Sequence, residues 1–323
     1  DVSDNSADDG RRPRFSRRAM ALAVVGQLAL VGVLVALAVY GFPAADGEAK
    51  KSGDDVPRAK VDRFDADRAM AIARMQVKAG PRPAGSRTLR RVAERLRKML
   101  PKGRFEPVPG HPGLRNIVGE LPGTGPVIVI GAHYDTERLP KGFVGANDAA
   151  AAVGAVIELS RALKRIERPA TAPAIRFVLF DGEEEPFRTD DFFRDALRGS
   201  KAYVQAHAEE VRAMLLLDYI GNKGLRLPRE GTSSRELWAR VREAAKAVGV
   251  GKVFPPGTQA GIIDDHTPFL RAGIPAVDFI DLSYPHKDTL RDTLDKLSVR
   301  AVDAVGETVV EVIRRWRDLP AAG

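Results

Sequence analysis

The chain has 323 residues, 44% of them hydrophobic, with 51 Lys and Arg against 43 Asp and Glu for a formal net charge of +8. That composition supports one large core and excludes a wholly disordered chain. The absence of cysteine excludes disulfides and a thiolate-bound structural zinc, and basic residues scattered among acids, rather than blocked together, argue against a nucleic-acid surface.

Residues 1–18 are polar and carry five arginines between Arg11 and Arg18, the composition of a disordered cytoplasmic tail. Ala19 to Gly41 contains no charged residue and would be about 35 Å long as a helix, enough to cross a hydrocarbon core of about 30 Å. A cleaved signal peptide is the rival reading, but Pro43-Ala44-Ala45 makes a poor cleavage site. The expectation is one uncleaved transmembrane helix over 19–41, with the membrane as a partner and the rest of the chain outside, in the periplasm or extracellular space. Residues 42–64, rich in Pro, Gly, Ala and mixed charge, read as a linker.

Folded structure is expected over 65–319. Asp65 to Ala79 and Ser86 to Leu100 have amphipathic helical spacing, the second with Ser86 as N-cap. Arg104 to His111 and Leu114 to Leu121 read as strands interrupted by Pro and Gly, with His111 in a turn. Val127 to Ile130 is a wholly apolar β-branched run stopped by Gly131, the pattern of a strand buried on both faces. His133 and Asp135 fall just past its end, where side chains can enter a crevice, and imidazole followed by carboxylate suits a zinc ligand with a supporting partner. Asp148 opens an Ala-rich helical stretch running to Leu163; by itself it reads first as an N-cap.

A second buried-strand pattern, Ile175 to Phe180, runs into Asp181, Glu183, Glu184 and Glu185. Carboxylates so crowded repel one another, which a solvated loop or a bound cation relieves. Adjacent glutamates can divide the labour, one binding the metal and the other carrying a proton. Pro186 to Arg198 has no clean period and reads as a loop over the site or an irregular connection. Met214 to Leu217 is a third buried strand with Asp218 at its end. Ser234 to Val248 reads as a helix, Pro255 to Gly261 as a loop, Ile274 to Ile280 as a strand, and Ser298 to Trp316 as a closing helix. Alternating buried strands and helices imply an α/β sandwich with its site at strand carboxyl ends.

Five motifs in this order, GAHYDT, GANDAA, FDGEE, LLLDYIG and DDHTPFLRAGIPAV, resemble the M28-type zinc exopeptidase family, which contains bacterial aminopeptidases and glutaminyl cyclases. The resemblance covers roughly 65–319. It implies a three-layer α/β sandwich, with helices on both faces of a mixed, mostly parallel sheet of about eight strands. It assigns His133, Asp148, Glu184 and Asp218 as ligands of one or two zinc ions, Asp148 bridging, with Asp135 orienting His133. It gives Glu183 the role of deprotonating a metal-activated water and protonating the leaving amine. The family places Asp265 and His266 beside the substrate. Asp265 is then a candidate for holding the substrate's amino group, while His266 either meets substrate or supports its loop.

The family's Tyr-Pro-x-Trp-His-Thr run, whose histidine is the last zinc ligand, reads Tyr284-Pro285-His286-Lys287-Asp288-Thr289 here. Ungapped alignment puts Asp288 at the ligand position, a change toward harder, manganese-tolerant ligation; a shifted loop would offer His286 instead. The leading expectation is a membrane-anchored aminopeptidase acting on peptides or aminoacyl substrates. A one-zinc glutaminyl cyclase is the alternative, and a non-catalytic binding domain with a degenerate metal site is the third.

Overall fold

The computed structural model describes residues 54–316, all within one compact unit. The expected tail and transmembrane helix lie outside the described residues, among which no helix is long and apolar enough to cross a membrane. The last part of the expected linker belongs to the fold: Val56 and Phe64 are 3% and 2% exposed. Arg63 binds Glu307 and Glu311. Phe64 lies so close to Gly306 that a Cβ there would stand 2.4 Å from its ring. Two isolated apolar residues gave no period to read, yet they dock this segment on the closing helix.

In chain order the helices and strands are α1 (Ala66–Ala79), α2 (Arg87–Met99), β1 (Arg104–Pro107), β2 (Arg115–Leu121), β3 (Val127–His133), α3 (Ala152–Arg165), β4 (Ile175–Phe180), the short α4 (Phe192–Asp195), α5 (Arg198–His207), β5 (Val211–Leu217), α6 (Arg235–Ala247), the short α7 (Thr267–Arg271), β6 (Ala276–Phe279) and α8 (Val299–Arg314). Side-chain oxygens of Asp65, Ser86, Ser234 and Ser298 accept from the backbone N–H three residues on, at the starts of α1, α2, α6 and α8.

The sheet has six strands in the order β1-β2-β4-β3-β5-β6. β1 and β2 pair antiparallel, as do β2 and β4, while β4, β3, β5 and β6 run parallel. The expected count of about eight is therefore corrected for the described residues. Outside the six strands the described residues make only single bridges, Asn222 to Leu297 and Arg229 to Thr258. Pro228, beside one of them, has no N–H to extend a ladder.

Alternate residues of the central strands pack into two layers. Ile128, Ile130, Phe177, Leu179, Leu215 and Leu217 face a core shared with α1, α3, α6 and α8. Val127, Val129, Val178, Phe180, Met214 and Leu216 face Tyr203 of α5 and Phe269 of α7. With helices on both faces, every residue of β3 is buried, and polar side chains reach a cleft only beyond the strand ends.

Candidate metal centre and active site

β3 ends at His133. Its Nε2 lies 3.0 Å from Asp148 Oδ1 and 3.7 Å from Asp218 Oδ1, and its Nδ1 lies 3.9 Å from Glu183 Oε2. Two groups, His133–Asp148–Asp218 and His133–Glu183–Glu184, each bring their ligand atoms within 4.8 Å of one another. Parallel strands β3, β4 and β5 thus deliver the imidazole and most of the acids to one point, and all five side chains are buried.

Asp148 arrives by a different route from the expected helix start. Its φ of −109° and ψ of 89° are not helical, and it lies in a wide turn, Ala146–Ala151, ahead of α3. It is therefore no N-cap. The turn is held from both sides. The Asp292 carboxylate accepts from the N–H of Asn147 at 3.0 Å and of Asp148 at 3.1 Å, and from the Tyr284 hydroxyl at 2.8 Å. The buried Arg82 donates to the carbonyls of Val144 at 2.9 Å, Gln76 and Gly80 at 3.2 Å, and Gly145 at 3.4 Å. Burial lowers its pKa to about 10 against the pull of Asp148, Asp135 and Asp292. Gly145, at φ +50°, leaves room for the Asp148 carbonyl, which a Cβ would meet at 1.8 Å.

The acidic turn after β4 is equally supported. Asp135 accepts from the N–H of Glu183 at 3.2 Å and of Glu184 at 3.3 Å. It also faces His133, its Oδ1 3.7 Å from Nδ1, so Asp135 stands between the paired glutamates and the histidine. Buried Arg198 donates to the carbonyls of Gly182 at 3.1 Å and Glu184 at 2.7 Å.

Electrostatically these acids cannot all be ionised without a cation. Burial pushes Glu183 well above its ordinary pKa; His133 opposes, and Asp264, Asp265 and Asp135 add to the rise. Burial, Asp148 and Glu183 raise Glu184 likewise. Asp218 is pushed up to about 7 by burial, with His133 opposing and Asp148 and Asp264 reinforcing. His133 is raised despite burial because Asp135, Asp148, Asp218 and Glu183 surround it. Its buried Nδ1 has no hydrogen-bond partner. One imidazole with several carboxylates is a donor set that fits zinc.

The last expected ligand is nearby but outside both close groups. Asp288, at φ +55°, has Oδ1 2.9 Å from the Tyr219 hydroxyl, which is also 2.9 Å from Asp148 Oδ2. His286 instead packs edge-on against Tyr284, with centroids 5.6 Å apart. Asp265 and His266 are both 0% exposed. Burial and Asp264 raise the Asp265 pKa well above normal. His266 Nε2 lies 2.7 Å from Thr232 Oγ1 and 3.3 Å from Glu230 Oε2, contacts that tie it to the loop. Burial opposes the charge on Glu230, but His266 and the N–H groups of Thr232 and Ile262 hold its pKa down to about 2.

Sequence reasoning missed Arg82, Tyr219, Glu230, Asp278 and Asp292. Tyr219 follows a predicted ligand within LLLDYIG, and Asp292 lies three residues past the Tyr284–Thr289 run. Asp278, a carboxylate within an apolar strand run, was itself a signal. Glu230 had none.

A parallel-centred sheet that brings one imidazole and a ring of carboxylates to its strand ends defines a metal-dependent α/β enzyme. Residues 116–313 match Peptidase family M28, and the chain belongs to that family of zinc-dependent enzymes. Among solved structures it is similar to a Porphyromonas gingivalis glutaminyl cyclase, at 28% identity and TM-score 0.71, over 79% of this chain and 100% of that one. It is also similar to a leucine aminopeptidase precursor from Bacteroides thetaiotaomicron, at 27% identity and TM-score 0.69, over 81% of this chain and 99% of that one. A glutaminyl-peptide cyclotransferase-like protein of Mus musculus is 27% identical over 200 residues, 53% of this chain; the chain spans 52% of that relative's length.

Proposed function

We propose that the protein is a zinc-dependent glutaminyl cyclase, converting an N-terminal glutaminyl residue of a peptide to a pyroglutamyl residue with release of ammonia. This reverses the order of the two leading sequence expectations. The observation that carries it is the likeness to glutaminyl cyclases in both sequence and structure. The site is compatible: the close ligand group around Asp148 comprises His133, Asp148 and Asp218, with Glu184 beside it, enough for a single ion.

Zinc, when bound, supplies Lewis acidity toward the side-chain amide carbonyl of the substrate. In the reaction the substrate's α-amino nitrogen forms a bond to that amide carbon, and the bond from the same carbon to its nitrogen breaks. Glu183 takes the proton from the attacking amine and returns it to the departing ammonia. Burial, with Asp264 and Asp265 reinforcing, raises its pKa above the ordinary carboxylate range and suits it to carry that proton. Asp135 keeps Glu183 and Glu184 in place through their backbone N–H groups.

Peptide-bond hydrolysis is the second reading. It is favoured by the likeness to the aminopeptidase precursor and by Asp288, which with Glu184 and Asp148 would provide for a second ion. Zinc-loaded protein offered a glutaminyl peptide and an aminoacyl anilide separates the two. Cyclisation releases ammonia from an otherwise intact peptide, whereas hydrolysis frees an amino acid or the aniline. The uncharged run 19–41 supports attachment to a membrane with the enzyme outside it; resistance of the full chain to carbonate extraction is the test.

A further inference from the structure

Next to Asp218, and with Asp264 close enough to act on Glu183 as well, lies a second convergence of ligand-type side chains. Asp264 and His266 come from the turn that opens α7, and Asp278 from β6. Their ligand atoms lie within 4.8 Å of one another, and they are 4%, 0% and 0% exposed. Asp278 Oδ1 and Oδ2, Asp264 Oδ2 and His266 Nδ1 are buried without a hydrogen-bond partner. Buried charges are ordinarily paired or bound to a metal, and the groups acting on Asp278 are themselves acids: Asp264, Asp218 and Glu230.

The histidine shows which partner is missing. Its Nε2 faces Glu230, whose carboxylate also accepts from the N–H of Thr232 at 2.9 Å, Ser233 at 2.8 Å and Ile262 at 2.9 Å, and from the Ser233 hydroxyl at 2.9 Å. So fully bonded an anion places the ring proton on Nε2. Nδ1 is left with its lone pair toward Asp278 Oδ2, 3.8 Å away. A lone pair facing a carboxylate is repulsive, and 3.8 Å is too long for a hydrogen bond between them. Two ligand atoms each about 2.0–2.2 Å from one ion can stand as far as about 4 Å apart, so that separation suits a shared cation. A carboxylate holding the far nitrogen of an imidazole is also the usual support of a metal-bound histidine.

We propose that Asp264, His266 and Asp278 form a second, inner site for a divalent transition metal, zinc or manganese, with Glu230 orienting the histidine. It is distinct from the ligand set implied by the family resemblance and from the cyclase reading, since it requires neither substrate nor turnover. Mixed carboxylate and imidazole ligation suits these two ions better than magnesium or calcium.

The test is a crystal of the zinc-saturated full-length or 54–323 protein, with diffraction measured on both sides of the zinc absorption edge. The expected result is an anomalous peak enclosed by Asp264, His266 and Asp278, in addition to any at His133. Its absence overturns the proposal and leaves a proton shared among these acids as their neutralising partner. Elemental analysis gives the independent reading: His266→Gln and Asp278→Asn each carry one zinc equivalent fewer than wild type, and Asp148→Asn retains the inner ion. Folded variants of His266 and Asp278 with wild-type zinc content also refute the site. If neither variant folds, the wild-type crystal decides.

Discussion

Replacing Tyr219 by phenylalanine isolates one contact beside the ligands. The hydroxyl stands 2.9 Å from Asp148 Oδ2 and 2.9 Å from Asp288 Oδ1, while the other Asp148 oxygen faces His133. A phenol has one proton, so it donates to one carboxylate at a time and ties the two acids together. A hydrogen bond to a charged acceptor contributes about 1.5–3 kcal/mol. At about 1.4 kcal/mol per tenfold, its loss corresponds to about ten- to hundredfold weaker zinc binding, the range found for partners that orient metal ligands. The expected outcome is that reduction in Tyr219→Phe, measured by competition against a zinc-chelating dye, with an unchanged circular dichroism spectrum. Asp288→Ala in the Tyr219→Phe background then separates two roles. If Asp288 binds the ion directly, the double variant binds zinc more weakly than Tyr219→Phe; if it acts only through the tyrosine, the two bind alike. Wild-type zinc affinity in Tyr219→Phe would refute the orienting role.

Glu183→Gln is expected to keep its metal and lose about 2–4 orders of magnitude in turnover, whereas Glu184→Gln loses metal; equal metal loss in both shows the division of labour to be wrong. Asp288→Ala is expected to lower metal content and activity more than His286→Ala, because His286 packs on Tyr284 and Asp288 faces the site; elemental analysis with the reverse order refutes this. Arg82→Met leaves the buried carbonyls of Gln76, Gly80, Val144 and Gly145 without their donor and should cost about 1–3 kcal/mol of stability, read as a lower urea midpoint in EDTA. An unchanged midpoint counts against its structural role. The pKa values of Asp181, Asp218 and Asp292 are raised in the folded protein to about 7, 7 and 6 from an ordinary 3.8, chiefly by burial. Because the folded state holds these protons more tightly, their contribution is present below about pH 4 and lost as pH rises toward 7. In EDTA the urea midpoint should therefore be higher at pH 5 than at pH 7.5, and zinc should diminish that difference; a midpoint that rises with pH in EDTA contradicts the assignment.

The sequence by itself determined the elements whose signal is local. Strand cores such as Val127–Ile130 and Ile175–Phe180 are apolar because both faces are covered, and Ser86 and Ser298 cap helices through bonds to residues three positions on. Motif order, through the family resemblance, was enough to select His133, Asp148, Glu183, Glu184 and Asp218; all but Asp148 stand at the carboxyl ends of parallel strands, which lie on one edge. Only the tertiary structure decided what holds those residues. Asp148 reads as a cap until Asp292, far along the chain, is seen to accept the N–H groups of its turn. Asp135 reads only as a histidine partner until its oxygens are found also to accept from the glutamate amides. Arg82 orders carbonyls from two separate segments, and Glu230, silent in the sequence, stands 3.3 Å from His266 Nε2. Such roles depend on hydrogen bonds between residues tens to hundreds of positions apart. Spacing along one element carries no record of them, because the chain path, not the local pattern, brings donor and acceptor within hydrogen-bond distance.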